Sequence, residues 1–118
     1  MIYLDFFLER LAPNDLLEFI QSCIRGGRII WTYHANMRLL KRSISRQDIL
    51  GAVESYEILE DYPQDKYLPS CLVYLKNEGR VFHFVCALDV VEKKVWIVTV
   101  YQPDPQEWDI DYRKRRRT

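Results

Sequence analysis

Histidine and arginine recur every four residues in one short segment. His34, Arg38 and Arg42 stand at i, i+4 and i+8 in TYHANMRLLKRSIS, with Lys41 beside them. On a helix this spacing gathers the four side chains into a sector of roughly 100°. Arginine donates two parallel hydrogen bonds to a phosphate, and histidine titrates near neutrality. Metal-independent RNA cleavage needs such parts: a group to take the proton of the attacking 2′-hydroxyl, one to protonate the leaving oxygen, and cations for the extra charge on phosphate. The same residues also fit a plainer role. His34 can bond nearby backbone at a helix start, and Arg38 and Arg42 can form a solvated face or pair with Glu57, Glu60 or Asp61.

Three other places carry candidate chemistry. His83 in VFHFV shares strand parity with Val81 and Val85, so a buried neutral imidazole with a hydrogen-bond partner is the first reading and a catalytic one the second. Tyr101 ends an apolar run, where a phenol can donate a proton, stack on a base or simply pack. Lys66 and Tyr67 lie in PQDKYLP, either at the rim of a site as phosphate and RNA contacts or in a plain connection.

Charge is segregated although 17 basic and 17 acidic residues cancel. Residues 25–46 carry Arg25, Arg28, Arg38, Lys41, Arg42 and Arg46 and no acid, and residues 47–66 carry Asp48, Glu54, Glu57, Glu60, Asp61 and Asp65 against Lys66 alone. A concentrated basic block in a neutral chain points to a local anion-binding face, unless the acidic segment folds against it. RKRRRT at the end reads as a mobile basic tail with salt-dependent attraction for phosphate. In the acidic stretch 104–111, Trp108 is expected to dock on the domain.

These groups need elements to position them. The 118 residues suit one domain, and 48% hydrophobic composition supports a core. NDLLEFIQSCIR, 14–25, reads as a helix with Asn14 as its cap and Gly26-Gly27 as its end. RIIWTY, 28–33, reads as a strand unless Thr32 caps the helix after it. HANMRLLKR, 34–42, reads as a helix with Ala35, Leu39 and Leu40 toward the core. SRQDILGAVES reads as another helix, opened by Ser45 and Asp48 as a capping box. Four strands come next: 55–62, a hairpin of SCLVYLKN and RVFHFVCALD around Asn77-Glu78-Gly79, and 94–101, which Pro103 and Pro105 stop. Consecutive strands with short turns imply an α+β fold, helices on one face of a mostly antiparallel four- to five-stranded sheet.

H-A-x-x-R-x-x-x-R-x-I-S at His34, Ala35, Arg38, Arg42, Ile44 and Ser45 resembles the opening of the DUF4258 domain. EILEDYP at 57–63, the strand around His83 and T-V-Y-x-P-D-x-x-x-W from Thr99 to Trp108 are similar to its later parts, so the likeness runs over about 31–108. The helix at 14–25 and the tail at 112–118 lie outside it. The resemblance implies a remote, fold-level kinship with small RelE-like and MqsR-like toxins that cleave messenger RNA. It strengthens His34, Arg38 and Arg42 as site residues and keeps His83 among them.

Two functions are expected on these grounds. One is a RelE-like toxin, a ribonuclease with His34, His83 and Tyr101 as catalytic groups and Arg38, Lys41, Arg42, Lys66 and Tyr67 on the RNA. The other is a non-catalytic module binding RNA or a protein, and an acidic antitoxin-like partner would suit the basic face. No Gly-rich phosphate loop and no metal-ligand spacing occurs, so no cofactor or metal is expected. Cys23, Cys71 and Cys86 are far apart, and Cys71 and Cys86 read as small buried hydrophobes. No apolar run reaches the roughly 20 residues of a membrane span, and Asp5 and Glu9 interrupt the only signal-like stretch. The expected location is the cytoplasm.

Overall fold

A computed structural model describes residues 13–117. In chain order it contains α1 (Pro13–Arg25), β1 (Ile29–Trp31), α2 (Tyr33–Lys41), α3 (Arg46–Leu50), a 3-10 turn (Val53–Ser55), β2 (Glu57–Tyr62), β3 (Ser70–Asn77), β4 (Arg80–Asp89) and β5 (Lys94–Tyr101). The sheet has the order β1-β5-β4-β3-β2. All neighbours run antiparallel except β1, which lies parallel to β5. The expected α+β fold is therefore present.

Local chemistry explains the element ends. In α1, Leu16, Ile20, Cys23 and Ile24 are buried on one stripe. Gly27 closes the helix at φ 71°, with Arg28 N–H donating to Cys23 O at 2.9 Å and Gly27 N–H to Ile24 O at 3.2 Å, the paired bonds of a Schellman turn. The helix includes Pro13, so Asn14 lies inside its first turn rather than capping it. Thr32 is a cap and not a strand residue: its hydroxyl accepts from Ala35 N–H at 3.1 Å. Ser45 and Asp48 form the reciprocal capping box of α3. That helix stops at Leu50 with Gly51 as its cap, and the expected continuation is a separate 3-10 turn. Ser55 and Tyr56 consequently precede β2 instead of opening it. Glu78 and Gly79 both take positive φ, 51° and 80°, as a two-residue hairpin turn requires.

The helices cover one sheet face. Cys71, Val73 and Leu75 of β3, Phe82, Phe84, Cys86 and Leu88 of β4, and Val95, Ile97 and Val100 of β5 join the helix residues in one apolar core. Leu40 does not join it. It is 76% exposed and continues Tyr33 and Met37 along the outer side of α2, whose buried residues are Ala35 and Leu39. A short helix at the sheet margin buries a narrower stripe than one lying across the sheet.

The other sheet face is covered by the chain after Tyr101, here called the strap. The basic end is not free as expected. Arg113 donates to Glu57 through two bonds of 2.9 Å, and Arg115 to Glu60 at 2.8 and 3.2 Å. The strap doubles back on itself, with Arg116 N–H donating to Glu107 O and Asp109 N–H to Lys114 O, both at 2.8 Å. Trp108 is 2% exposed and docks on the sheet, as its sequence suggested. The acids of β2 hold the tail, leaving the basic face of α2 without them.

Candidate functional site

Two β-bulges decide which side chains meet beneath the strap. In β5 the pairing jumps from Cys86↔Ile97 to Val85↔Thr99, so Val98 is an inserted residue. Strand parity would put Tyr101 with Ile97 in the helix-side core. The insertion instead sets Tyr101 opposite His83 on the strap side. The cap of α2 holds this irregular stretch, with Thr32 N–H donating to Ile97 O and its hydroxyl to Val98 O, both at 3.1 Å. In β2 a similar shift between Ile58 and Glu60 brings Glu57 and Glu60 to the same face, beneath Arg113 and Arg115.

Beyond the β5 bulge lies a cleft of about 390 Å³. Because β1 pairs only with residues 95–97, the next part of the β5 edge is open to it. Arg38 and Arg42 reach in from α2, and Thr99 and Tyr101 supply the β5 wall. The strap closes the other side with Gln102, Asp104, Glu107, Trp108 and Arg115. Arg38 is half-buried, and its Nε donates to His34 Nε2 at 3.3 Å. Among the described residues, neither Arg38 nor Arg42 has a carboxylate in salt-bridge range.

Behind the Tyr101 wall, His83 is fully buried, with its ring edge-on to Trp108 at a centroid distance of 4.5 Å. Its Nε2 lies 2.8 Å from the carbonyl oxygen of Tyr112, and its Nδ1 lies 3.3 Å from the Tyr101 hydroxyl. A carbonyl only accepts, so Nε2 carries the proton. In the neutral ring Nδ1 is then an acceptor, and the Tyr101 O–H donates to it. Burial holds the His83 imidazole below its usual pKa, opposed by its bond to the Tyr112 carbonyl; Arg115 also lowers it and Glu60 raises it. Burial likewise pushes the Tyr101 phenol up, against the pull of Arg115. The Arg115 hydrogen bond keeps Glu60 below the ordinary carboxylate range, and the Tyr62 hydroxyl adds a second donor.

The residues singled out in the sequence thus separate into groups. Arg38, Arg42 and Tyr101 share the cleft, His34 stands beside Arg38, and His83 lies behind the lining, against Tyr101 and Trp108. Lys41 is exposed outside the cleft lining. Lys66 and Tyr67 are exposed in the β2–β3 loop, where the ammonium lies 5.1 Å over its neighbour's ring, and they do not line the cleft. Arg115, Glu107 and Asp104 were not foreseen as cleft residues. The alternation of Arg113 and Arg115 was the signal for paired side chains on one face, but matching it to Glu57 and Glu60 requires knowing the bulge.

The sheet, the α2 cap and the two arginines coincide with a family pattern. The model of the domain of unknown function DUF4258 matches residues 31–102, and the chain belongs to that family. The matched segment contains His34, Arg38, Arg42, His83 and Tyr101, whereas α1 and the strap after Gln102 lie beyond it. No curated protein and no solved structure matches the chain. Among the described residues no helix is long and apolar enough to cross a membrane.

Proposed function

We propose that the chain is a metal-independent ribonuclease of the RelE-like toxin type, with the cleft as its phosphodiester site. The observation that carries this reading is the convergence of Arg38 and Arg42 from α2 with Arg115 from the strap beside the Tyr101 phenol. Arg38 and Arg42 bind the phosphate and neutralise charge as the bond to the 2′-oxygen forms. Tyr101 stands at the reacting oxygens, and His34 adds a titratable group beside Arg38. Lys41, exposed on α2 next to Arg42, serves as an outer contact for longer RNA. An acidic antitoxin-like protein would silence such an enzyme by covering the basic side of α2.

The test is RNA incubated with purified protein in excess chelator. Wild type cleaves and leaves a cyclic phosphate, while folded Arg38→Ala and Tyr101→Phe proteins lose about a hundredfold in rate. RNA that survives wild type as long as it survives the variants removes the reading.

One observation favours binding without turnover: the acidic residues Asp104 and Glu107 line the same cleft. A pure binding module would hold RNA without cutting it and release it on Arg38→Glu and Arg42→Glu substitution.

A further inference from the structure

We infer that His83 is the positioning residue of this site: it turns the Tyr101 hydroxyl so that its oxygen faces the cleft as a proton acceptor, and takes the displaced phenol proton on Nδ1. The inference rests on the ribonuclease reading above and adds to it the route of the proton. Its basis is the chain of contacts from cleft to strap. Tyr101 lines the cleft, its hydroxyl is 3.3 Å from Nδ1, and Nε2 is 2.8 Å from the Tyr112 carbonyl. With its own hydrogen directed at His83, the phenol oxygen offers only lone pairs to a substrate.

The step balances without a co-reactant other than water. The 2′-O–H bond breaks as a new bond forms between that hydrogen and Tyr101 Oη. The original Oη–H bond breaks as Nδ1–H forms. The freed electron pair on the 2′-oxygen makes the bond to phosphorus, the bond from phosphorus to the 5′-oxygen breaks, and that oxygen takes a proton from water. His83 afterwards returns its proton through Tyr101, neutralising the hydroxide. The imidazolium keeps both hydrogen bonds, because Nε2–H stays on Tyr112 and Nδ1–H now points at Oη. The charged and titratable groups around the pair are Arg115 and Glu107 from the strap, Glu60 and Tyr62 from β2, and Tyr74 from β3. Burial and Arg115 oppose the imidazolium, while the Tyr112 carbonyl and Glu60 favour it.

The arrangement also explains why a segment outside the family match is packed so closely. Tyr112, at φ 61°, presents its carbonyl to His83, and Trp108 shuts water from the ring. Seating the strap therefore fixes the tautomer on which the direction of the Tyr101 hydroxyl depends.

Two measurements test this. The chain has 2 histidines, so nitrogen NMR of the imidazoles needs only a His34→Gln comparison for assignment. His83 is expected as the Nε2–H tautomer with a hydrogen-bonded Nδ1, and Tyr101→Phe shifts Nδ1 toward the value of an unbonded nitrogen while the tautomer persists. A protonated Nδ1 in the neutral ring, or an unmoved resonance in Tyr101→Phe, overturns the proposal. For cleavage, His83→Gln keeps a donor for Tyr112 but cannot take a proton. It is expected to lower kcat about a hundredfold with KM within about twofold. A folded His83→Gln protein with wild-type kcat, alongside an active wild type, overturns the proton route alone. An inactive wild type overturns the ribonuclease reading and the route with it, and the NMR result then reports only on the hydrogen bonds.

Discussion

On the helix side of the sheet, Phe82, Phe84, Ile97 and Ile20 pack with almost no polar atom among them; the Tyr56 hydroxyl is an exception and donates to Ile49 O at 2.9 Å. On the strap side the buried groups include Tyr74, His83 and Trp108 beside the apolar Leu72, with cations laid over aromatic rings and two arginine–glutamate pairs at the margin. The same strands serve both faces, and the pleat alternates between them. One face does most of the stabilising, because apolar burial is non-directional and needs no partner. The other face depends on directed bonds, which hold a histidine and a tyrosine at fixed orientation next to a cleft. Its cover is irregular backbone fastened by ion pairs, so it can hold polar groups that the helix-side core would exclude.

This contrast can be broken by substitution. The largest effect is expected at Phe84, which lies edge-on to Tyr56 at 5.1 Å in the fully buried layer: Phe84→Ala should cost about 3–5 kcal/mol in urea unfolding. Trp108→Ala removes a larger side chain but should cost only about 2 kcal/mol, because the strap can settle into the space. Equal costs at the two positions would erase the distinction between the faces.

A third test is acid. The imidazole of His83 is held below its usual pKa by burial, so the folded protein binds fewer protons than the unfolded chain as the pH falls. Stability is complete above the unfolded histidine value of about 6.5 and declines below it, until the folded value is passed. The melting temperature should drop from about pH 7 to 5, and His83→Gln should flatten that drop. An unchanged slope in the variant would show that the strap face does not shield the ring. At lower pH, protonation of Glu57 and Glu60, both held below the carboxylate range by their arginines, should release the strap. The smallest effect is expected at Arg113. Its pair with Glu57 is solvent-exposed, so Arg113→Ala should cost about 0.5 kcal/mol, and less in high salt.

The sequence was most legible where structure is local. Thr32, Ser45 with Asp48, and the Glu78-Gly79 turn are short-range devices whose residue types announce their geometry. The four-residue spacing of Arg38 and Arg42 likewise put them on one side of α2, and both line the cleft. Leu40 was misplaced because a helical wheel gives directions around an axis without saying how much of the circumference the sheet covers. The strap was misjudged because a run of basic residues looks solvated until its acidic partners, more than fifty residues away, are known to share a face.

By itself the sequence determined the order of the helices and strands, the mostly antiparallel sheet, the capped basic helix and the membership in DUF4258, since these depend on periodicity and motifs within a few residues. Tertiary structure alone decided which side of the sheet became the candidate site. One inserted residue in β5 moves Tyr101 from the parity of the core to the side of His83, and one in β2 aligns Glu57 with Glu60 under the strap. A strand has a period of two, so a single extra residue reverses every face beyond it. Where that residue falls depends on the neighbouring strand and on the helix cap holding its carbonyls, which only the folded chain brings together.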